Sequence, residues 1–234
     1  MNEDSPKPPE IDEELSALEE QILSLANIVE NTFADAVVAL MESDSGAASQ
    51  AQREDYKAHQ IWLQADSMAL DLLSSGQLQL KQVKKVAADT KIAHDLKVMA
   101  DEGIRIAHLM RACPTEGDMP ACCTELLPEM IEMAQSIFGD SVDAFVNRDA
   151  TEAKSQDFVF RQLSSQHEEL INQVNTELDS PEAPLNPEVA TSLVLVSRSL
   201  EIIGERSLDM ANHVAKLCGD RNSNHVNDLD GDIE

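Results

Sequence analysis

One stripe of apolar side chains limits what this chain can fold into. Leu15, Leu18, Ile22, Leu25, Val29, Phe33, Ala36 and Leu40 recur at three- and four-residue spacing, the period of a helix with a single apolar face. At about 1.5 Å per residue, such a helix of some thirty residues runs roughly 45 Å. Only other long helices lying beside it can cover a stripe of that length. The spacing therefore predicts an all-α bundle. The core must be aliphatic, because 42% of the residues are hydrophobic but only 3% are aromatic. Eight glycines and nine prolines are few for the many turns of a sheet protein.

Breaks in the pattern divide the chain. Ser43 to Gly46 ends the first helix, and a second is expected over 47–73 with Ile61, Trp62, Ala65, Met68, Ala69 and Leu72 inward. After Ser74-Ser75-Gly76 a third is expected over 77–112, carrying Val83, Val86, Ala87, Ile92, Leu96, Met99, Ile104 and Leu109. The plan then recurs. Phe33 to Asp44 (FADAVVALMESD) matches Phe138 to Asp149 (FGDSVDAFVNRD) at an offset of 105, and Leu96, Ala100 and Ala107 match Leu200, Gly204 and Ala211 at 104. Two stretches sharing nearly one offset indicate a tandem repeat. The expected architecture is two tandem three-helix bundles, six long helices in all. A disordered tail over 1–10 precedes a first bundle over 11–112. A Pro/Gly-rich linker over 113–120 leads to a second bundle over 121–219, with helices at 124–148, 151–178 and 187–217, and an acidic tail follows over 220–234.

Bulk charge narrows the function. A formal net charge of −27 argues against a nucleic-acid binder, which needs a basic face, and suits basic partners or hard cations. No apolar run approaches membrane-spanning length, and the acidic, Pro-rich start does not read as a signal peptide. Cys113, Cys122, Cys123 and Cys218 lack zinc spacing and read as reduced thiols of a cytoplasmic protein.

The candidate site lies near the C-terminal end. Glu201, Glu205 and Asp209 stand at i, i+4 and i+8, so their carboxylates share one helix face. Like charges at that spacing repel by a few tenths of a kcal/mol per pair, roughly. The row is either a hard-cation site or a solvated acidic face. The matching row in the first repeat, Lys97, Asp101 and Arg105, alternates in sign and can pair within itself. Gly204 and its counterpart Ala100 suggest a close helix crossing, since glycine costs about 1 kcal/mol relative to alanine inside a helix. Asp35 and Asp140 occupy matching places, and Asp55 with His59 has ligand spacing.

Two three-helix repeats with FADAVVALMESD late in the first helix, KIAHDL (Lys91 to Leu96) in the third and RSLEIIGERSLDMAN (Arg198 to Asn212) in the sixth resemble the PhoU family. The resemblance runs from about Leu15 to Leu217. It implies a non-enzymatic regulator of phosphate homeostasis that couples a phosphate transporter to a sensor histidine kinase and restrains the phosphate-starvation response. It also implies contact with the membrane through partners only, and homodimerisation. Several members bind metals through paired acids on the second and third helices of each repeat, a pattern that here would place a divalent metal (iron, manganese, zinc or magnesium) at Glu201, Glu205 and Asp209. The sequence departs from that pattern. Lys97 replaces an acid, and the repeat offset sets Phe160 and Ser164 where the first repeat has Asp55 and His59. No phosphate-binding loop, dinucleotide fingerprint, His-Glu-x-x-His or Glu-x-x-His pattern points to catalysis. The alternative is a helical metal-binding protein that buffers or stores a hard divalent cation.

Overall fold

The computed structural model describes residues 8–42, 45–109, 121–149, 153–181 and 185–227. These residues form six helices: α1 (Pro8–Glu42), α2 (Ser45–Ser74), α3 (Leu80–Leu109), α4 (Ala121–Asn147), α5 (Ala153–Leu178) and α6 (Pro187–Asn227). α1, α2 and α3 pack on one another, as do α4, α5 and α6, and α3 lies against α6 to join the two bundles. The all-α tandem architecture read from the sequence is thus observed.

Local chemistry sets the helix ends. α1 starts at Pro8, inside the stretch expected to be a tail, because prolines fit a first turn whose N–H groups need no intrahelical acceptor. Residues 1–7 lie outside the described residues. α3 starts at Leu80, later than expected: Gly76 turns the chain at φ 66°, and the Gln82 side chain accepts from the Gln79 N–H at 2.9 Å, a capping-box contact. Asn186 caps α6 by accepting from the Glu188 N–H at 2.8 Å, with Pro187 in the first helical position. α6 then runs to Asn227 rather than ending near Leu217. The expected acidic tail therefore begins in helix, and its end at 228–234 lies outside the described residues, as does the expected linker at 113–120. α4 ends at Asn147, and the next residue, Arg148, takes a left-handed φ of 52°. That conformation is held from both sides, by an Arg148–Glu19 ion pair and by the Cys218 thiol donating to the Arg148 carbonyl at 2.9 Å.

The α1 stripe from Leu15 to Ala36 is buried, and each fully buried Leu or Ile in it stabilises by about 1.5–3 kcal/mol relative to exposure. In α2, Ala58, Ala65, Ala69 and Leu72 are buried, while Ile61, Trp62 and Met68 are half-buried against the same core. In α3 the expected inward face is widened: Ala87 is exposed and Ile104 half-buried, whereas Ala93, Ala100, Ile106 and Ala107 are buried. The reason is position. α3 packs against its own bundle on one side and α6 on the other.

The α3–α6 crossing carries polar pairs. Ser199 donates to Glu102 Oε2 at 2.7 Å, and Arg206 lies 3.6 Å from Asp95 Oδ1. At the 104-residue offset, Asp95 corresponds to Ser199 and Glu102 to Arg206. The two contacts are the same contact on opposite sides of a local pseudo-twofold axis. Gly103 and Gly204 let helices approach within each bundle. A Cβ on Gly204 would sit 2.6 Å from Leu163 Cδ2, and one on Gly103 would sit 3.2 Å from Thr32 Cγ2.

Candidate functional site

The acidic row of α6 does lie on one face, but its carboxylates are held apart by cations and donors. Glu201 accepts from Ser164 Oγ of α5 at 2.7 Å and pairs with Arg198 one turn earlier. His167, anchored through Nδ1 to Ser197 Oγ at 2.9 Å, brings Nε2 to 3.6 Å from the same carboxylate. Asp209 pairs with Arg206 at 2.9 Å, and Glu205 lies 3.5 Å from the same guanidinium. The guanidinium thus offsets the repulsion of two adjacent carboxylates. Opposite the row, Ser164 donates a hydrogen bond to Glu201 where a second carboxylate would serve as a metal ligand. Phe160 packs beside Gly204, 3.4 Å from where a Cβ would stand.

The first repeat behaves differently from its sequence pattern. Lys97 pairs with Asp101 as expected, but Arg105 turns to Glu102 at 3.4 Å rather than to Asp101. Glu102 is buried at the bundle seam and Asp101 is exposed, so the guanidinium goes to the carboxylate with fewer water contacts. His59 is exposed and stacks with Trp62 at a centroid distance of 5.8 Å. The Asp55 side chain lies outside the described residues. Asp35 is raised above the usual carboxylate range, chiefly by burial and then by the charge of Glu54. Glu54 is held by Gln50 at 2.9 Å and Lys57 at 2.8 Å. Asp140, the matching residue of the second repeat, is raised by burial and then by Asp143.

Two polar clusters had not been singled out in the sequence. One is a cleft of about 390 Å³ between α2, α3 and α6, lined by Trp62, Asp66, His94, Asp95, Arg206 and Asp209 among others. Asp95 has a side chain 6% exposed, and its Oδ2 accepts no hydrogen bond from the described residues, with His213 Nε2 at 3.6 Å. Burial, and next the charge of Asp209, push Asp95 up to about 6, against the opposing pull of Arg206 and His94. His213 is lowered by burial and by Lys91 and Lys216. The other cluster lies where α1, α3, α4 and α6 converge. Lys85 bridges Glu19 and the buried Asp89, each at 2.7 Å, beside a cleft of about 380 Å³ that Arg148 and Cys218 also line. The signal for both was an acid within an apolar register: Asp89 and Asp95 stand among Val86, Ile92, Ala93 and Leu96.

Metal ligation needs several oxygens or nitrogens converging on one point. Among the described residues no group of three or more His, Cys, Asp or Glu side chains converges in that way. Glu201, Glu205 and Asp209 each face a nitrogen or hydroxyl donor instead. The residues present do not fit a resident metal at this row. What the arrangement does chemically is fix α5 to α6 and α3 to α6 through charge-assisted hydrogen bonds.

Comparison with known proteins identifies the architecture. The chain is similar to the phosphate-specific transport system accessory protein PhoU homolog of Pseudomonas putida, with 25% identity over 213 residues, 91% of this chain and 82% of that protein. The corresponding protein of Pseudomonas aeruginosa is 24% identical over 213 residues, covering 91% and 87%. The crystal structure of PhoU from Pseudomonas aeruginosa superposes with a TM-score of 0.81 at 24% identity, covering 88% of this chain and 97% of that one. PhoU from Streptococcus pneumoniae superposes at 0.78 with 21% identity, covering 88% and 96%. The PhoU domain is matched twice, at residues 22–110 and 127–214, once across α1 to α3 and once across α4 to α6, and the chain belongs to the PhoU domain family.

Proposed function

We propose that this chain is a non-enzymatic accessory protein of a phosphate-specific transport system. It works in the cytoplasm by binding the transporter and a sensor histidine kinase and restraining the phosphate-starvation response. The observation that carries this reading is the match of the PhoU domain to both repeats, together with curated relatives whose names make them accessory proteins of phosphate-specific transport. The geometry suits the role. Rigid aliphatic bundles with acidic outer faces offer docking surfaces, and no described helix is long and apolar enough to cross a membrane. Restraint follows when the chain binds one state of a partner more tightly than another, because equal affinity shifts no equilibrium. Deletion of the gene in its host tests the reading through phosphate uptake in phosphate-replete medium. Uptake should become constitutive and return to its restrained level on complementation. Uptake that stays restrained in the deletion strain would sink the proposal. Affinity isolation with and without phosphate starvation then identifies the partners, with the transporter and the kinase expected.

A further inference from the structure

Residues of α1 and α4 line the two sides of a groove of about 610 Å³ between the repeats. Its walls repeat each other: Glu30, Phe33 and Ala34 of α1 stand at the 105-residue offset from Gln135, Phe138 and Gly139 of α4. The lining is mostly apolar, and Val146 at one end is 54% exposed. Its charged side chains, Glu30 and Asp143, are both acidic.

Gly139 singles out this groove. A glycine inside a helix weakens it relative to alanine, so its place calls for a reason. Gly103 and Gly204 have one in the close approach of Thr32 and Leu163. A Cβ on Gly139 would meet nothing within 4 Å. Nothing among the described residues uses the bare backbone there, and Gly139 lines the groove together with Ala34. Bare backbone of this kind admits the close approach of another backbone.

We propose that the α1–α4 groove is a docking surface for an amphipathic helix of another protein, with an apolar face flanked by lysines or arginines. The lining runs from Leu23 to Ala34 on α1 and from Gln135 to Val146 on α4, about 16 Å on each wall at 1.5 Å per residue, enough for roughly three turns. Helix-in-groove recognition reads the apolar face, and the acidic rim selects the flanking charge. A second copy of this chain is disfavoured as the occupant, because at a net charge of −27 it would bring acids against Glu30 and Asp143. The inference holds whichever transport or signalling system the chain serves.

The test places a photo-activatable benzophenone amino acid at Gln135 of the full chain in host cells. A second version at the exposed Phe158 of α5 is the control, and captured segments are sequenced by mass spectrometry. The Gln135 version should capture a segment with helical apolar spacing and net positive charge that the Phe158 version does not. A synthetic peptide of that segment should lose binding to purified Gly139→Leu, which fills the groove, while circular dichroism shows an unchanged fold. Gly139→Ala, the milder filling, should raise Tm and weaken the peptide. Capture of a second copy of this chain, of an acidic or non-helical segment, equal capture from both positions, no capture from Gln135, or undiminished binding to Gly139→Leu would each overturn the assignment.

Discussion

Alanine in place of Gly204 should destabilise the protein, whereas the same change at Gly139 should stabilise it. Both substitutions add one methyl group within a helix, and both gain about 1 kcal/mol of helix propensity. They differ in what the methyl meets. At position 204 it would lie 2.6 Å from Leu163 Cδ2, with Phe160 at 3.4 Å and Ile137 at 3.5 Å on other sides. Leu163 is fully buried, so it cannot swing into water to make room. Overpacking of this kind costs about 1–3 kcal/mol. The net effect at 204 is therefore about 0–2 kcal/mol of destabilisation, against about 1 kcal/mol of stabilisation at 139. In a chain of this length 1 kcal/mol moves Tm by about 2–4 °C, so thermal melts of the two variants should separate clearly and in that order. Replacing Leu163 by Val in the Gly204→Ala background should recover part of the loss. A Gly204→Ala variant as stable as Gly139→Ala would refute the argument that the crossing of α5 and α6 demands glycine.

Asp95→Asn should stabilise the protein above neutral pH and not in acid. The folded carboxyl holds its proton up to about 6 and the unfolded one to 3.8, so the stability it contributes is full below 3.8 and lost as pH rises through about 6. Denaturant melts should show a gain of about 1–3 kcal/mol at pH 8 that vanishes near pH 4. Ser199→Ala removes the hydroxyl donor from the buried Glu102 carboxylate and should cost about 1.5–3 kcal/mol in the same melts. Elemental analysis after incubation with manganese, zinc or iron and desalting should give the same metal content for the parent as for the Glu201→Ala, Glu205→Ala double variant. Stoichiometric metal in the parent that the double variant lacks would instead make the row a cation site.

Most of the fold was legible because periodicity reports helices directly. The stripe from Leu15 to Ala36 became the buried face of α1, and the two-repeat plan followed from Phe33 with Phe138 and Leu96 with Leu200. Helix ends were less legible. Pro8 and the cap at Gln79 moved two of them by local hydrogen bonding that periodicity does not register. The acidic row was legible as a helix face but its partners were not. Spacing along α6 reveals neighbours one turn away, such as Arg198, whereas Ser164 and His167 arrive from α5. Asp95 and Glu102 were hidden for the same reason: each sits in an apolar register, and its partner lies about a hundred residues further along the chain. The α1–α4 groove depends on how the two repeats lean together, which no stretch of sequence spells out.

The mirrored pairs at the α3–α6 crossing decide which half can join which. If two copies of the first repeat met across that axis, Asp95 would oppose Glu102, acid against acid. If two copies of the second repeat met, Ser199 would oppose Arg206, and the guanidinium would gain no carboxylate from across the seam. Only the unlike pairing gives Asp95 its guanidinium and Glu102 its hydroxyl. The two halves share one domain plan, and at this crossing four polar side chains favour the unlike pairing over the like ones. The seam thus acts as a key between unlike halves, disfavouring association of a first repeat with another first repeat or of a second with another second.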